Sequence, residues 1–327
     1  MTDPIPAWPG ELVALGADEV FVRSAPAADG AEPALFVHGL GGSSQNWTDL
    51  MGLLREPAKP GQQPPPLACQ AVDLPGFGYS PPPASGDYTI TARANAVIAL
   101  LDKQQRGPVH LVGNSLGGAV CTRVAARRPD LVLTLTLISP ALPDLRPRTL
   151  PLRLTVICLP GVGPWLMTKF QRLPAEVRSS RTIRDVFGDP SLMHPQRRTE
   201  EAAELIRRDQ LSYAAAVFVG SARSLVAEYT RVGRGTLWRD AARVAAPALV
   251  IHGSHDRLVH PAMAGRAARA FRSGRAVVLP GVGHVAMMER PDLVAGEMRT
   301  LLAGAADRPA GPADPGALAP AGDARAS

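Results

Sequence analysis

Three residues that lie far apart in the sequence, Ser115, Asp256 and His284, could together perform nucleophilic catalysis. A serine hydroxyl is a poor nucleophile near neutral pH, so it needs an imidazole to accept its proton. The imidazole in turn needs a carboxylate, which orients the ring and stabilises its charged form. The three residue types therefore predict acyl-transfer chemistry, provided that the fold brings them together.

Ser115 lies within Val109–Gly118, which reads VHLVGNSLGG. The apolar, β-branched start of this stretch predicts a buried strand, and the Ala-rich run Ala119–Arg128 predicts a helix. A serine on a sharp turn from strand to helix projects its hydroxyl out of the sheet, and the residues around it must be small. Gly113 and Gly117 meet that requirement because they lack a Cβ atom.

Asp256 and His284 each follow a further predicted strand. Ala248–Ile251 precedes the sequence HGSHDR, and Ala276–Leu279 precedes PGVGH. In an open α/β sheet the residues after the carboxyl ends of parallel strands converge on one edge, where ligands bind. We expect Asp256 and His284 to meet Ser115 at that edge.

A glycine-rich segment, His38–Gly42 (HGLGG), follows another predicted strand, Pro33–Val37. Acyl transfer passes through an oxyanion, and the loss of one preorganised N–H donor at such a site costs about 2.7–4 kcal/mol. We expect the two donors to be the backbone N–H of Leu116, directly after the nucleophile, and that of Leu40 in the glycine-rich segment. His38 is predicted to be structural and to hold this segment through hydrogen bonds.

The rest of the chain predicts the elements that position these residues. Two apolar runs in Glu11–Ser24 indicate a hairpin, and strands then alternate with helices, which is typical of a mostly parallel sheet. The other predicted elements are the helix Trp47–Arg55, the strand Leu67–Val72, the helix Thr89–Gln105, the strand Leu131–Ile138 and the helices Ala262–Phe271 and Pro291–Ala303.

The alternation of strands and helices lapses in the middle of the chain. Helical runs at Thr199–Leu211 and Ala214–Tyr229, together with several Pro and Gly breaks, predict a helical insertion there. We therefore assign residues 11–139 and 236–303 to a split α/β core, 140–235 to a helical insertion and 304–327 to a disordered tail.

The motifs described above, together with Asp73–Ser80 (DLPGFGYS), make the chain resemble the α/β-hydrolase fold family. The resemblance is to its lid-bearing, esterase- and lipase-like branch, and it covers about residues 11–303. It implies an α/β fold with a mostly parallel eight-stranded sheet flanked by helices. It also implies that the helical lid is inserted after the sixth strand, and that the Asp73–Ser80 loop is chiefly structural.

The resemblance assigns a role to each candidate site residue. It implies Ser115 as nucleophile, His284 as base and Asp256 as acid, with the oxyanion bound by the N–H groups of Leu40 and Leu116. Some family members place the acid after the sixth strand, which makes Asp144 the rival to Asp256. The resemblance implies no cofactor and no metal.

Several reactions remain open within this resemblance. An ester of a moderately apolar acid is the expected substrate, because the insertion should form an apolar lid. Dehalogenases and epoxide hydrolases of the fold need an Asp nucleophile, which Ser115 excludes. Carbon–carbon hydrolases of ring-cleavage products share the G-N-S-x-G-G elbow, but Val285 stands where those relatives usually carry Trp. Cofactor-free perhydrolases and haloperoxidases use the same triad, and small-molecule receptors of this fold retain theirs.

The composition excludes several classes of protein. With 327 residues, 46% of them hydrophobic, the chain has ample apolar material for a core. Cys69, Cys121 and Cys158 lack a C-x-x-C spacing and predict free thiols in a reducing compartment. We see neither a signal-peptide pattern nor an apolar run of about eighteen residues, so we expect a soluble, cytoplasmic protein. The net charge of +6 is accompanied by no nucleic-acid motif and no metal-ligand spacing.

The positive charge is concentrated in the middle of the chain. Between Ala141 and Asp240 there are sixteen basic and ten acidic residues, an excess equal to the net charge of the whole protein. A solvated helical surface would explain this excess, and so would attraction to an anionic membrane. The apolar stretch Thr149–Phe170 in the same region predicts either lid packing over the site or a membrane-touching lid.

Overall fold

The computed structural model describes residues 5–57, 64–144, 155–159 and 161–306. Its centre is an eight-stranded sheet in the order β1-β2-β4-β3-β5-β6-β7-β8. The strands are β1 (Gly10–Leu15), β2 (Asp18–Ser24), β3 (Glu32–Val37), β4 (Leu67–Val72), β5 (Val109–Asn114), β6 (Val132–Ile138), β7 (Ala248–Gly253) and β8 (Gly274–Leu279). Strand β2 is antiparallel to both β1 and β4, and the remaining neighbours are parallel, so the predicted fold class is confirmed.

The register of the parallel strands aligns their carboxyl ends. The pairs that show this are Val37 with Gly113, Asn114 with Ile138, Ile138 with Ile251, and Gly253 with Leu279. The loops that follow β3, β5, β6, β7 and β8 therefore leave the sheet at one edge. This is the edge at which the sequence places its candidate site residues.

The α-helices flank the sheet and fill the insertion. They are α1 (Thr48–Leu54), α2 (Ile90–Gln104), α3 (Leu116–Arg127), α4 (Val162–Gln171), α5 (Ala175–Val186), α6 (Pro195–Asp209), α7 (Ala214–Thr230), α8 (Leu237–Arg243), α9 (Met263–Ala270), α10 (Ala286–Glu289) and α11 (Pro291–Ala306). Helix α3 begins at Leu116 instead of the predicted Ala119, since the chain turns helical directly after Ser115. Helix α6 begins at Pro195, because the His194 side chain caps it and proline suits the first helical position.

Two apolar clusters cover the two faces of the sheet. Alternate side chains of β3 point to opposite faces, so Leu35 belongs to one cluster and Phe36 to the other. Leu35 packs with residues of α2, α3 and α8, whereas Phe36 packs with residues of α1 and α11. Burial of each such side chain stabilises the fold by about 1.5–3 kcal/mol.

The tail differs from the prediction at its start. Helix α11 continues through residues 304–306, because its Leu- and Ala-rich end favours the helix. The remainder of the predicted tail, residues 307–327, lies outside the described residues, as do residues 149–154 and 160 of the apolar stretch. In the part of the chain that the structure describes, no helix has both the length and the apolar character needed to cross a membrane.

Residues 140–235, the predicted insertion and called the insertion below, are joined to the flanking helices by charged side chains. Arg123 of α3 donates from Nε to Asp240 at 2.9 Å and from Nη1 to Glu228 at 3.1 Å. Glu228 belongs to α7 of the insertion, and Asp240 belongs to α8 of the core. On the opposite side Arg197 of α6 pairs with Asp49 of α1 at 2.8 Å. Two helices of the insertion, α6 and α7, are thereby fastened to helices that flank the sheet.

Candidate active site

Ser115 occupies a strained backbone position at the turn from β5 to α3. Its φ of 51° and ψ of −115° lie outside the regions that L-residues favour, which costs about 1–3 kcal/mol. The turn is held because the Ser115 N–H donates to Ile138 O at 3.0 Å and its C=O accepts from Ala141 N at 2.9 Å. The surrounding sheet thus maintains a geometry that projects the hydroxyl beyond the sheet edge.

The glycines that flank Ser115 allow this turn to form. A Cβ atom at Gly113 would lie 2.5 Å from the carbonyl oxygen of Gly117. A Cβ atom at Gly117 would collide with the carbonyl oxygens of Val37 and His38. Backbone atoms on both sides cannot move away, so the small size predicted for these positions is confirmed.

Asp256 and His284 meet at the same sheet edge. The Nδ1 atom of His284 lies 2.9 Å from Oδ2 of Asp256. The other oxygen of Asp256 accepts from the backbone N–H groups of Leu258 at 2.8 Å and Val259 at 2.9 Å. Burial favours the neutral acid, but His284, the Val259 N–H and the Ser139 hydroxyl more than offset it and lower the pKa of Asp256 to about 2. Asp256 is therefore a carboxylate at neutral pH and can orient the imidazole.

The backbone of His284 is anchored from both directions. Its N–H donates to Val186 O of the insertion at 2.7 Å, and its C=O accepts from the Asn114 side chain at 3.1 Å. Because Asn114 directly precedes Ser115, this contact brings the His284 loop against the elbow. Glu289 of α10 also accepts from Gly283 N at 2.8 Å.

Three residues that support the site were not assigned by sequence reasoning. Asn114 was part of the elbow motif, yet nothing local indicated that its amide reaches another loop. Ser139 follows β6 at a φ of 45° and contributes to the low pKa of Asp256. Glu289 collects backbone N–H groups from Gly188, Asp189 and Gly283. Of these three, only Ser139 could have been found from the sequence, because it directly follows a predicted strand at the sheet edge where the site residues gather.

The His38–Gly42 segment, which the sequence predicts to supply an oxyanion donor and which is called the oxyanion loop for that reason, lies against the elbow. A Cβ atom at Gly39 would be 3.1 Å from Cβ of Ser115. The loop is held by His38, whose Nε2 accepts from Leu74 N at 2.9 Å, so in the neutral ring the proton is on Nδ1. That Nδ1 donates to Gly39 O at 2.7 Å.

The charge state of His38 follows from its surroundings. The pKa of His38 is lowered to about 4, mainly because the ring is buried. The hydrogen bond to Gly39 O raises the pKa, whereas the nearby Arg93 and Arg208 cations lower it further. The ring is therefore neutral at physiological pH, as its acceptor role toward Leu74 requires. The structural role predicted for His38 agrees with these contacts.

The Asp73–Ser80 loop ties the oxyanion loop to the sheet. The Asp73 carboxylate accepts from Ser44 N at 2.5 Å and from Tyr79 N at 2.8 Å. The Ser80 hydroxyl donates to Asp73 O at 2.6 Å and accepts from Phe21 N at 2.7 Å. The side chains of Asp73 and Ser80 thus form hydrogen bonds with backbone groups, which is consistent with the structural role that the resemblance implies.

Two other histidines and the rival acid Asp144 contact groups outside the Asp256–His284 pair. His110 contacts Thr134 at 2.9 Å and Glu32 at 2.8 Å, and the ring of His260 accepts from Ala262 N. Asp144 lies near the Tyr229 hydroxyl, whose pKa burial raises. Among the described residues, no group of three or more His, Cys, Asp or Glu side chains is placed to hold a metal ion.

Comparisons with known proteins identify the family to which this fold belongs. A family model described as the alpha/beta hydrolase fold matches residues 33–291. Lipase LipV of Mycobacterium tuberculosis is 40% identical over 112 residues, 34% of this chain and 38% of that protein. An acetyltransferase component of the acetoin cleaving system of Cupriavidus necator is 35% identical over 123 residues, 38% of this chain and 30% of that protein. These matches span about a third of the length of each relative.

The fold is shared with solved structures. A putative lipase from Acinetobacter baumannii AYE superposes with a TM-score of 0.73 at 18% identity, over 92% of both chains. At this identity the similarity concerns the fold alone, whereas the family model covers most of the chain, including the elbow and the His284 loop. The chain belongs to the α/β-hydrolase fold family.

Proposed function

We propose that this protein is a serine hydrolase that cleaves a carboxylic ester of a moderately apolar acid. One observation carries the proposal: the strained Ser115 and the hydrogen-bonded Asp256–His284 pair lie at the same sheet edge. The low pKa of Asp256 suits an acid that must stay charged while the imidazole takes up a proton. The lipase among the relatives supports an ester as the substrate class.

In the proposed first half-reaction, Oγ of Ser115 attacks the ester carbonyl carbon and its proton passes to Nε2 of His284. Nε2 takes this role because Nδ1 faces Asp256. The carbonyl oxygen becomes an oxyanion that accepts hydrogen bonds from the N–H groups of Leu40 and Leu116. His284 then protonates the leaving alkoxide as the carbon–oxygen bond breaks, which leaves an acyl group on Ser115.

In the second half-reaction, water attacks the acyl group while His284 accepts its proton. The second oxyanion collapses as the bond between the acyl carbon and Oγ of Ser115 breaks. His284 returns its proton to Oγ, so the acid leaves and Ser115 is regenerated. We assign the insertion the role of a lid over this site. A Cβ atom at Gly76 would lie 2.7 Å from Val217, which shows how closely α7 approaches a core loop beside the oxyanion loop.

A fluorophosphonate probe tests the nucleophile. Wild-type protein should be labelled, and Ser115→Ala should not, since the probe forms its bond with an activated serine hydroxyl. Ser85→Ala is the control, because Ser85 lies on an exposed loop and should label like wild type. A wild type that stays unlabelled at neutral pH would exclude the serine-hydrolase proposal.

A substrate panel separates the reactions that the fold permits. p-Nitrophenyl esters of rising acyl length should be hydrolysed, with kcat/KM highest at intermediate length if the acid is moderately apolar. Faster turnover of a ring-cleavage dienoate would favour carbon–carbon hydrolysis, and faster peroxide-dependent halogenation would favour a perhydrolase or haloperoxidase. Tight binding without turnover of any of them would favour a receptor.

We also propose that the lid makes peripheral contact with anionic membrane. The support is a set of exposed apolar side chains on and before α4: Val156, Leu159, Val162 and Trp165. Trp165 is 54% exposed and carries the Lys169 ammonium 4.1 Å above its ring. An exposed aromatic beside a cation suits the interface between lipid and water.

Vesicle sedimentation tests this contact. Binding to phosphatidylglycerol vesicles should exceed binding to phosphatidylcholine vesicles and should fall with added salt, since screening weakens charge attraction. Trp165→Ser should reduce binding, whereas the same change at the half-buried Trp238, which donates to Pro143 O, should not. Equal and salt-independent binding to both vesicles would count against the contact.

A further inference from the structure

Two consecutive arginines at the end of α6 reach two core loops, one of which is the oxyanion loop that lies against Ser115. Arg207 donates to the carbonyl of Gly78, and Nη1 of Arg208 donates to the carbonyl of Gly41 at 2.5 Å. Phe218 of α7 lies against Gly41 as well, because a Cβ atom there would be 3.2 Å from the Phe218 ring and 3.8 Å from Arg208. Two helices of the insertion therefore enclose one residue of the oxyanion loop.

The Gly41 carbonyl begins a chain of hydrogen bonds that ends at the proposed oxyanion donor. The peptide group that contains Gly41 C=O also contains Gly42 N–H, which donates to Gly39 O at 3.1 Å. The peptide group that contains Gly39 C=O also contains Leu40 N–H. The C=O and N–H of a trans peptide point in opposite directions, so each carbonyl that is held orients the N–H at the other end.

We infer that Arg208 is a positioning residue for the oxyanion hole, acting through these two peptide groups on the Leu40 N–H. A cationic donor at the start of the chain also polarises the bonds that follow, which strengthens each donor in turn. The inference rests on the proposed function, because it requires Leu40 N–H to bind an oxyanion. It makes the insertion a contributor to transition-state stabilisation as well as a cover.

The core supports the same peptide independently. His38 donates to Gly39 O from the sheet side, while the chain from Arg208 arrives through Gly42 from the insertion side. Loss of Arg208 therefore leaves the oxyanion loop in place but frees one end of it. We expect a partial loss of transition-state stabilisation and an intact fold.

Helix α6 offers a matched control. Arg198 also donates to a backbone carbonyl, that of Pro190 at 2.9 Å, but both residues belong to the insertion. Arg198→Ala removes the same kind of bond from the same helix without touching the oxyanion loop. A difference between the two alanine variants therefore reports on the oxyanion loop and not on the insertion in general.

The experiment measures kcat and KM on a p-nitrophenyl ester, and the affinity of an alkyl trifluoromethyl ketone. Oγ of Ser115 adds to the carbonyl carbon of the ketone while the serine proton passes to His284, so the adduct carries an oxyanion. Arg208→Ala should lower kcat tenfold or more, change KM less than threefold and weaken the ketone in proportion to kcat. Arg208→Lys should retain part of the activity. Millimolar guanidinium should restore part of the lost activity to Arg208→Ala and should not change the activity of Arg198→Ala.

Other outcomes overturn the inference. One is an Arg208→Ala variant that matches Arg198→Ala in kcat and ketone affinity; another is a loss confined to KM with the ketone unaffected. If Arg208→Ala unfolds, Arg208→Lys provides the same comparison, and a lysine variant with unchanged ketone affinity and kcat counts against the inference. A wild type that neither hydrolyses esters nor reacts with fluorophosphonate would instead disprove the proposed function, so the two failures are distinguishable.

Discussion

The α/β core and the insertion are held in place by different kinds of contact. In the core, alternate residues of buried strands such as β3 pack into two apolar clusters on the two faces of the sheet. In the insertion, arginines donate to carboxylates or to backbone carbonyls. The described arginines of the insertion that do so are Arg178, Arg197, Arg198, Arg207, Arg208, Arg223 and Arg231.

This difference explains what the charge of the insertion does. Apolar burial is non-directional and stabilises a fold without placing any one atom accurately. The guanidinium group is a rigid, directional donor, so each arginine specifies where one part of the insertion lies relative to a carbonyl or carboxylate. Many of the basic side chains of the insertion therefore form hydrogen bonds or ion pairs within the chain. Two of these side chains, Arg207 and Arg208, join the insertion to core loops by donating to Gly78 O and Gly41 O.

The largest expected effect comes from the buried ion cluster that joins the two regions. Arg123→Met leaves Glu228 and Asp240 buried without this partner, so we expect a loss of about 3–5 kcal/mol in the free energy of unfolding. Urea denaturation followed by circular dichroism measures it. Arg128→Met, at a partly exposed arginine after the same helix, should cost no more than about 1 kcal/mol. Equal effects would show that burial of the cluster is unimportant.

Acidification should weaken the core through two buried histidines. Burial lowers the pKa of both His38 and His252 to about 4, from an ordinary value of 6.5. Between pH 6.5 and 4 the unfolded chain binds protons that the native state does not, so the free energy of unfolding falls as the pH falls. Each histidine should remove about 2 kcal/mol between pH 7 and 5. The arginines keep their charge throughout this range.

Denaturation midpoints at pH 7, 6 and 5 check this dependence. Among the described residues neither ring nitrogen of His252 has a hydrogen-bond partner, so His252→Gln should fold and should show a shallower dependence on pH. A variant with the full wild-type slope would assign the dependence to other groups.

The smallest expected effect concerns a point where the core and the insertion are in contact through backbone atoms. A Cβ atom at Gly283 would collide with Gly188 N and Val186 O of the insertion. Since backbone cannot give way easily, Gly283→Ala should cost about 1–3 kcal/mol and should lower kcat by displacing His284. Gly296→Ala in α11 meets nothing within 4 Å and should stabilise by about 0.4–1 kcal/mol. Thermal denaturation and ester kinetics distinguish the two variants.

Sequence reasoning was most successful where a local pattern has a local cause. The strand before Ser115 and the helix after it follow from an apolar run, two glycines and an Ala-rich run, and the structure has all of them. The mostly parallel sheet and the location of Asp256 and His284 at one edge follow from the alternation of strands and helices, whereas the sheet order of the strands was not predicted. The helix starts were less accurate, because α3 begins where the elbow ends and α6 begins where a cap and a proline allow it.

By itself, the sequence determined the α/β sheet, the elbow and the residues that gather at its edge, because periodicity and glycine spacing act over a few residues. Only the tertiary structure decided what lies between these motifs. The amide of Asn114 supports His284, 170 residues away, and Arg208 reaches Gly41 across 167 residues. Such contacts depend on how the insertion folds back over the core. No local pattern encodes that placement, because an arginine on a helix looks the same in sequence whether it meets water or a carbonyl of the oxyanion loop.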